Sequence, residues 1–528
     1  MGASDLAAVE GYAGRLSYEP GETVTLHLSV TRAGILGDVV PGDGPARCDV
    51  SVIRDGAAPQ VVWRASDLAV DAHPVPDDAA AAGARWPATL EIPVTDEWRS
   101  GFHVVELRSR PVGAAPGGET VRHAGFAVRP RLGRPTAPAL LALATNTWNA
   151  YNDWGGPNLY TGGTHVSFAR PFARGYVDRP DAAANRNANL GPRPDPDVEK
   201  WIAYVFAADV SPWAGCAGWP GWERPFVVWA ERNGCAVDVC TNADLAERPE
   251  LLEGYPLLLS VGHDEYWSWE MRDAVDAHLA RGGNVAFLSG NTSYWQVRLE
   301  DDGRTMVGYK MTARTDDPVV GTADAHRLTS MWSDPWIGRP ETAMTGVSFT
   351  RGGYARIGRA TPLGTGGYTV WRPEHWLLAG TELRYGDQLG AAHTVVGYEC
   401  DGCALTLADG RPVPTHADGC PPGFEVVASA PAHLWSKTAE VDEYPSGLSA
   451  LRAIGELEET ADLLFGDHEP ATTARIAHGH AVLGAYRSAG GGTVVTTGCT
   501  DWVHGLAGGD PTVEQVTRTV LDRLRGDG

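Results

Sequence analysis

Three short runs without a single charged residue, 139–144, 255–261 and 284–289, constrain the fold of this chain more than any other feature. A strand with one wet face alternates polar and apolar residues, and these runs do not. Each is therefore expected to be a strand covered on both faces, as in a parallel sheet. Residues 226–231 read as a helix feeding a strand at 236–240, and Asn242-Ala-Asp-Leu can cap a short helix. A further helix is expected between 261 and 284, and residues 492–497 and 511–524 supply a closing strand and helix. Strands that alternate with helices predict an α/β fold with a doubly wound parallel sheet. The stretch from about 300 to 480 is richer in turns and β-type runs, and reads as a β-rich insertion or accessory sheet.

The front of the chain has a different rhythm. Residues 23–30 alternate after the turn Glu19-Pro20-Gly21, and 48–53, 88–93 and 101–107 are further short strands. This pattern predicts an immunoglobulin-like β-sandwich over residues 1–130. The Pro- and Arg-rich segment 129–138 reads as a linker to an α/β domain over 139–528. A chain of 528 residues exceeds what one core can serve, which fits two or more domains. The 64 glycines and 37 prolines imply many loops, and the 19 tryptophans imply that those loops are packed.

The net charge of −23 argues against nucleic acid and against an anionic membrane surface as partners. No window approaches the ~18 apolar residues of a membrane span, and no basic, then apolar, leader opens the chain. The expectation is a soluble, cytoplasmic protein with its eight cysteines reduced, either a monomer or a homo-oligomer.

In an open parallel sheet, ligands sit beyond the carboxyl ends of the strands. Three junctions occupy such ends: Thr145-Asn-Thr-Trp-Asn-Ala-Tyr151-Asn-Asp-Trp, Gly262-His263-Asp-Glu265-Tyr-Trp267 and Ser289-Gly-Asn291-Thr-Ser-Tyr-Trp295. A plain turn needs only Gly and Asp, whereas these are dense in Asn, Tyr, Trp, His and carboxylate. For Glu265 or His263 alone, a charge near the next helix start or a capping side chain would be explanation enough. Three such junctions on one edge favour a site.

The combination of Leu-Leu-Ser-Val-Gly-His263-Asp-Glu265-Tyr-Trp, Gly-Gly-Asn-Val-Ala-Phe-Leu-Ser-Gly-Asn291 and Trp-Asn-Ala-Tyr151-Asn-Asp-Trp-Gly-Gly resembles the large (beta) subunit of N,N-dimethylformamidase. Val-Gly-Tyr-Glu399-Cys-Asp and Thr-Asp-Trp-Val-His-Gly-Leu506 are of the same type, so the resemblance runs from about residue 139 to the end. It implies a glutamine-amidotransferase-like α/β core and a mononuclear iron, Fe3+, held by two tyrosines and one glutamate. The ligands it implies are Tyr151, Tyr160 and Glu265, with Tyr176 as the fallback for the second tyrosine. It further implies that His263 and Asn291 line the site and that Glu399 is the general base. Such a site would hydrolyse the C–N bond of a small amide, and the family's enzyme works with a small partner subunit. The chain departs from the pattern at Asp264, where the family often has Pro, and no lectin-like domain is recognisable in it.

Cys400, Cys403, His416 and Cys420 have the spacing of a structural zinc site, although free thiols in a loop would read the same way. Phosphate loops, dinucleotide fingerprints and nucleophile elbows are not found. Two further readings remain open: a ligand-binding or assembly protein without the metal, and a zinc hydrolase built on His263, Glu265 and a third residue.

Overall fold

The computed structural model describes residues 7–34, 36–112, 119–180, 197–355, 364–436 and 455–526. Its centre is a nine-stranded sheet in the order Asp238–Thr241, Ala139–Leu143, Leu257–His263, Asn284–Gly290, Thr493–Thr496, Gly479–Arg487, Glu425–Ala432, Tyr368–Val370, Gln388–Leu389. The first five are parallel and the remainder run antiparallel. The fold is thus mixed α/β. All three uncharged runs are central strands with no exposed residue in Ala139–Leu143 or Leu257–His263. Burying each leucine there stabilises the fold by about 1.5–3 kcal/mol relative to leaving it in water.

The helices follow the sequence pattern closely. Residues 226–231 lie inside the helix Glu223–Arg232. The short helix Asn242–Glu247 is capped one residue earlier than expected, by Thr241, whose hydroxyl accepts from the Asp244 N–H while Asp244 accepts from the Thr241 N–H. The helix Trp269–Ala280 connects the second and third runs, and Pro511–Leu524 closes the chain on its Asp510 cap.

Residues 300–480 differ from a separate accessory sheet. Three of their strands extend the parallel sheet itself, each antiparallel to its neighbour. A second piece, Ser348–Tyr354 paired with Glu399–Gly402, is a ribbon beside the sheet's carboxyl edge. The backbone of Glu399 reaches that edge because Gly290 has no side chain. A Cβ there would sit 2.6 Å from the Glu399 carbonyl oxygen and 2.4 Å from the Thr500 nitrogen.

At the front, a five-stranded sheet and a four-stranded sheet share one core through Leu26, Leu28, Val50, Val52, Val105 and Phe126. The strands expected at 23–30, 48–53 and 101–107 lie within Thr23–Ala33, Ala46–Arg54 and Gly101–Pro111. The expected linker is pinned: buried Arg129 lies 3.4–3.6 Å from Glu22, Glu19 and Asp244, and Thr136 and Ala137 donate backbone N–H groups to Asp238. Many of the tryptophans join front to back. Phe102 packs against Trp148 and Trp219, and Trp86 against Trp154. The indoles of Trp154 and Trp219 donate to Glu10 and Asp55 at 2.9 and 2.8 Å, so their burial leaves no unpaired N–H.

Candidate metal centre

The second uncharged run ends in a left-handed turn at Gly262 (φ +79°), where a Cβ would lie 2.5 Å from that of Trp222. This turn delivers His263 to the sheet edge opposite Gly290 of the neighbouring strand. Glu265 follows, its N–H bonded to Thr147 and its carbonyl accepting from the N–H groups of Tyr294 and Trp295. The second and third junctions are thereby stapled together. Tyr151 ends the buried helix Thr145–Tyr151, which starts where the first run stops.

The oxygen atoms of three expected ligands converge. The Tyr160 hydroxyl donates to Glu265 Oε1 at 2.7 Å. The Tyr151 hydroxyl lies 2.7 Å from that of Tyr160 and 3.0 Å from Glu265 Oε2, and its one proton serves one of them at a time. The two phenol rings stack at 4.5 Å. Small, hard cations with oxygen ligands at ~2.0–2.1 Å in octahedral array place neighbouring donors about 2.9 Å apart. Two phenols and a carboxylate at this spacing are the hard oxygen donors that suit a cation such as ferric iron. Burial, then the charges of Glu265 and neighbouring acids, push both phenols well above their ordinary range. Metal binding there would have to release their protons.

His263 bridges to the opposite carboxylate. Its Nδ1 donates to the Cys216 carbonyl at 2.6 Å, while Nε2 lies 2.7 Å from Glu399 Oε2 and 3.3 Å from Glu265 Oε2. Neither oxygen aligns with an Nε2–H as a well-directed hydrogen bond. Burial disfavours the imidazolium, but Glu399 and Glu265 outweigh it and raise the His263 pKa well above the usual histidine range. Burial would likewise raise Glu265, and His263, Lys310 and Tyr160 instead bring it below the ordinary glutamate value. Asn291, held at φ +49°, points Nδ2 at Glu399 Oε2 (3.4 Å), and its buried Oδ1 meets no partner among the described residues. All six residues expected at the site from sequence thus meet at one place.

Tyr176 does not join them. It stacks on Phe172 near Asp153, which leaves Tyr160 as the second tyrosine of the cluster. Asp264 also faces elsewhere, accepting from Ser260 and Asn242. The cysteine quartet is not gathered either. Cys400 lies on the strand Glu399–Gly402 and Cys403 just beyond its end. The Cys400 Sγ lies 3.7 Å from that of Cys499, while Cys403 pairs with Cys420 and the His416 ring meets the Cys420 carbonyl. Among the described residues, no group of three or more His, Cys, Asp or Glu side chains is arranged to hold a metal ion.

Several residues of the site went unread in the sequence. Asn158 accepts from the Tyr160 N–H and donates to the Tyr151 carbonyl, both at 2.9 Å, and so fixes the two phenols relative to each other. Lys310 sets its ammonium 3.3 Å from the Tyr160 ring centre and 4.9 Å from that of Trp295. Burial lowers it to about 8, against the pull of Glu265. Asp401 holds the Asn291 turn by accepting from the N–H groups of Asn291 and Thr292. Only Asp401, two residues after Glu399, could have been suspected from its place in the motif.

Comparison with known proteins points to one family. The chain is 24% identical over 492 residues to an N,N-dimethylformamidase beta subunit from Alcaligenes sp, and 24% identical over 490 residues to one from Paracoccus aminophilus. Each comparison covers 84% of this chain and 55% of the relative, so the chain spans about half the length of the curated relatives it matches. A family model matches residues 49–516, starting inside the front sandwich rather than at residue 139. The chain belongs to the family described as N,N-dimethylformamidase beta subunit-like, C-terminal.

Proposed function

We propose that this chain is an iron-dependent hydrolase of a small amide, with Tyr151, Tyr160 and Glu265 as the residues that hold the metal. The observation that carries this reading is the 2.7–3.0 Å spacing of their oxygens beside a second carboxylate, Glu399. Iron bound there would polarise the amide carbonyl as a Lewis acid. Glu399 takes the proton of the attacking water, and His263 holds that carboxylate in place. The Asn291 amide is only loosely engaged by Glu399, so its N–H is available to an oxygen that gains negative charge. The names of the two relatives support an amide with small substituents on nitrogen, and a partner subunit.

We read residues 1–130 as an immunoglobulin-like domain and 139–528 as the amidotransferase-like catalytic domain with its β-rich insertion. No helix among the described residues is long and apolar enough to cross a membrane.

The test is hydrolysis of N,N-dimethylformamide by the full chain, with and without its partner subunit, followed by chelation. Amine release that rises with iron loading and stops on its removal is the expected result. Undiminished hydrolysis by iron-stripped protein would refute the reading.

A further inference from the structure

Glu399 accounts for the proton taken from water, but amide cleavage needs a second transfer. A dialkylamide anion is too basic to leave, so the departing nitrogen must be protonated as the C–N bond breaks. Among the groups near the cluster, one carboxyl is suited to that task.

On the ribbon beside the sheet, Tyr354 is the direct antiparallel partner of Glu399. Directly paired residues present their side chains side by side on one face. The Tyr354 hydroxyl donates to Glu456 Oε1 at 2.8 Å, and among the described residues the buried Glu456 Oε2 meets no hydrogen-bond partner. Tyr398 closes the gap: its ring lies 6.0 Å from that of Tyr354 and meets His263 edge-on at 5.9 Å. Glu399, Glu265 and Lys310, all members of the cluster already described, are among the charged groups that act on Glu456.

We propose that Glu456 is the general acid of the reaction, resting on the amide-hydrolase reading above. Its Oε2–H passes the proton to the nitrogen while the C–N bond breaks, and the bonding pair leaves with the nitrogen as a neutral amine. Glu456 is left as a carboxylate on Tyr354, and solvent returns its proton before the next turnover. Water supplies the hydroxyl of the acid product, and its other proton goes to Glu399, which releases it to solvent as Glu456 regains its own. Burial, with Glu399 and Glu265 adding to it and Tyr354 and Lys310 opposing, pushes the Glu456 carboxyl up to about 8, so it is protonated at neutral pH. Two carboxyls in unlike environments, one charged against a histidine and one neutral, are the usual division between base and acid.

Glu456 also opens the helix Glu456–Phe465, where an acidic residue has a plain structural use near the helix dipole. The two roles part on the leaving group. In the iron-loaded chain, Glu456→Gln keeps the size and the acceptor for Tyr354 but has no acidic proton. Its kcat should fall ~10²-fold or more on N,N-dimethylformamide. On a 4-nitroformanilide, whose nitrogen is weakly basic, the loss should be no more than a few-fold, with iron content unchanged. Tyr354→Phe should show the same leaving-group dependence at smaller amplitude, and it reports even if Glu456→Gln folds poorly. Equal losses on both substrates, or full activity on the dialkylamide, would overturn the assignment while leaving the hydrolase reading intact. An iron-loaded wild-type chain that cleaves neither substrate would overturn both.

Discussion

Two constellations begin at neighbouring residues, Glu399 and Cys400, and end differently. Glu399 meets His263, and beside it Glu265 and Tyr151, residues up to 248 positions away, because the parallel strands deliver their carboxyl ends to the edge beside which the ribbon carrying Glu399 lies. Cys400, Cys403, His416 and Cys420 span only 21 residues, yet they scatter into a Cys400–Cys499 contact and a Cys403–Cys420 pair. Short spacing in a sequence marks a metal site when a tight turn carries it. Here Cys400 sits on the strand Glu399–Gly402 and Cys403 beyond its end, and each meets a different thiol.

The sharpest way to break this contrast is at Glu399. Glu399→Gln should lower kcat by ~10²–10⁴-fold, as expected for loss of a general base, while iron content stays at the wild-type level. Iron lost together with activity would instead make Glu399 part of the metal's own shell.

A second test concerns a buried acid outside both constellations. Glu223 accepts from the Ala144 N–H and the Trp148 indole, and burial raises it from 4.5 to about 8. Its folded-state pKa lies above the unfolded one, so the folded chain holds the extra proton between those values. The associated stability is complete below pH 4.5 and is lost as pH rises toward 8, at up to about 1.4 kcal/mol per pH unit. Denaturant titrations of wild type and Glu223→Gln across pH 5–8 should differ by that slope. Parallel curves would show that Glu223 is ionised in the fold.

The smallest effect belongs to the cysteines. Cys403→Ala should leave iron content unaltered and activity within about twofold. A large loss, or stoichiometric zinc in the wild type that vanishes in the variant, would restore the four-residue site and erase the comparison.

How much was legible follows the same physics. The parallel half of the sheet announced itself because strands buried on both faces carry no charge, and the junctions did because polar aromatics are costly to pack without purpose. The antiparallel half stayed hidden. Tyr368–Val370 and Gln388–Leu389 are three and two residues long, too short for any periodicity. Asn158 and Lys310 act through a loop and a 3₁₀ turn at φ +57°, where local sequence carries no register. Tyr354 and Glu456 lie 102 residues apart and meet only once the ribbon is placed.

Visible absorption of the iron-loaded chain decides whether the two phenols and Glu265 share one iron ion. About one iron per chain is expected, with a phenolate-to-iron charge-transfer band that shifts or collapses in Tyr151→Phe and in Tyr160→Phe. A colourless, iron-free protein, or a band that survives both substitutions unchanged, would contradict it.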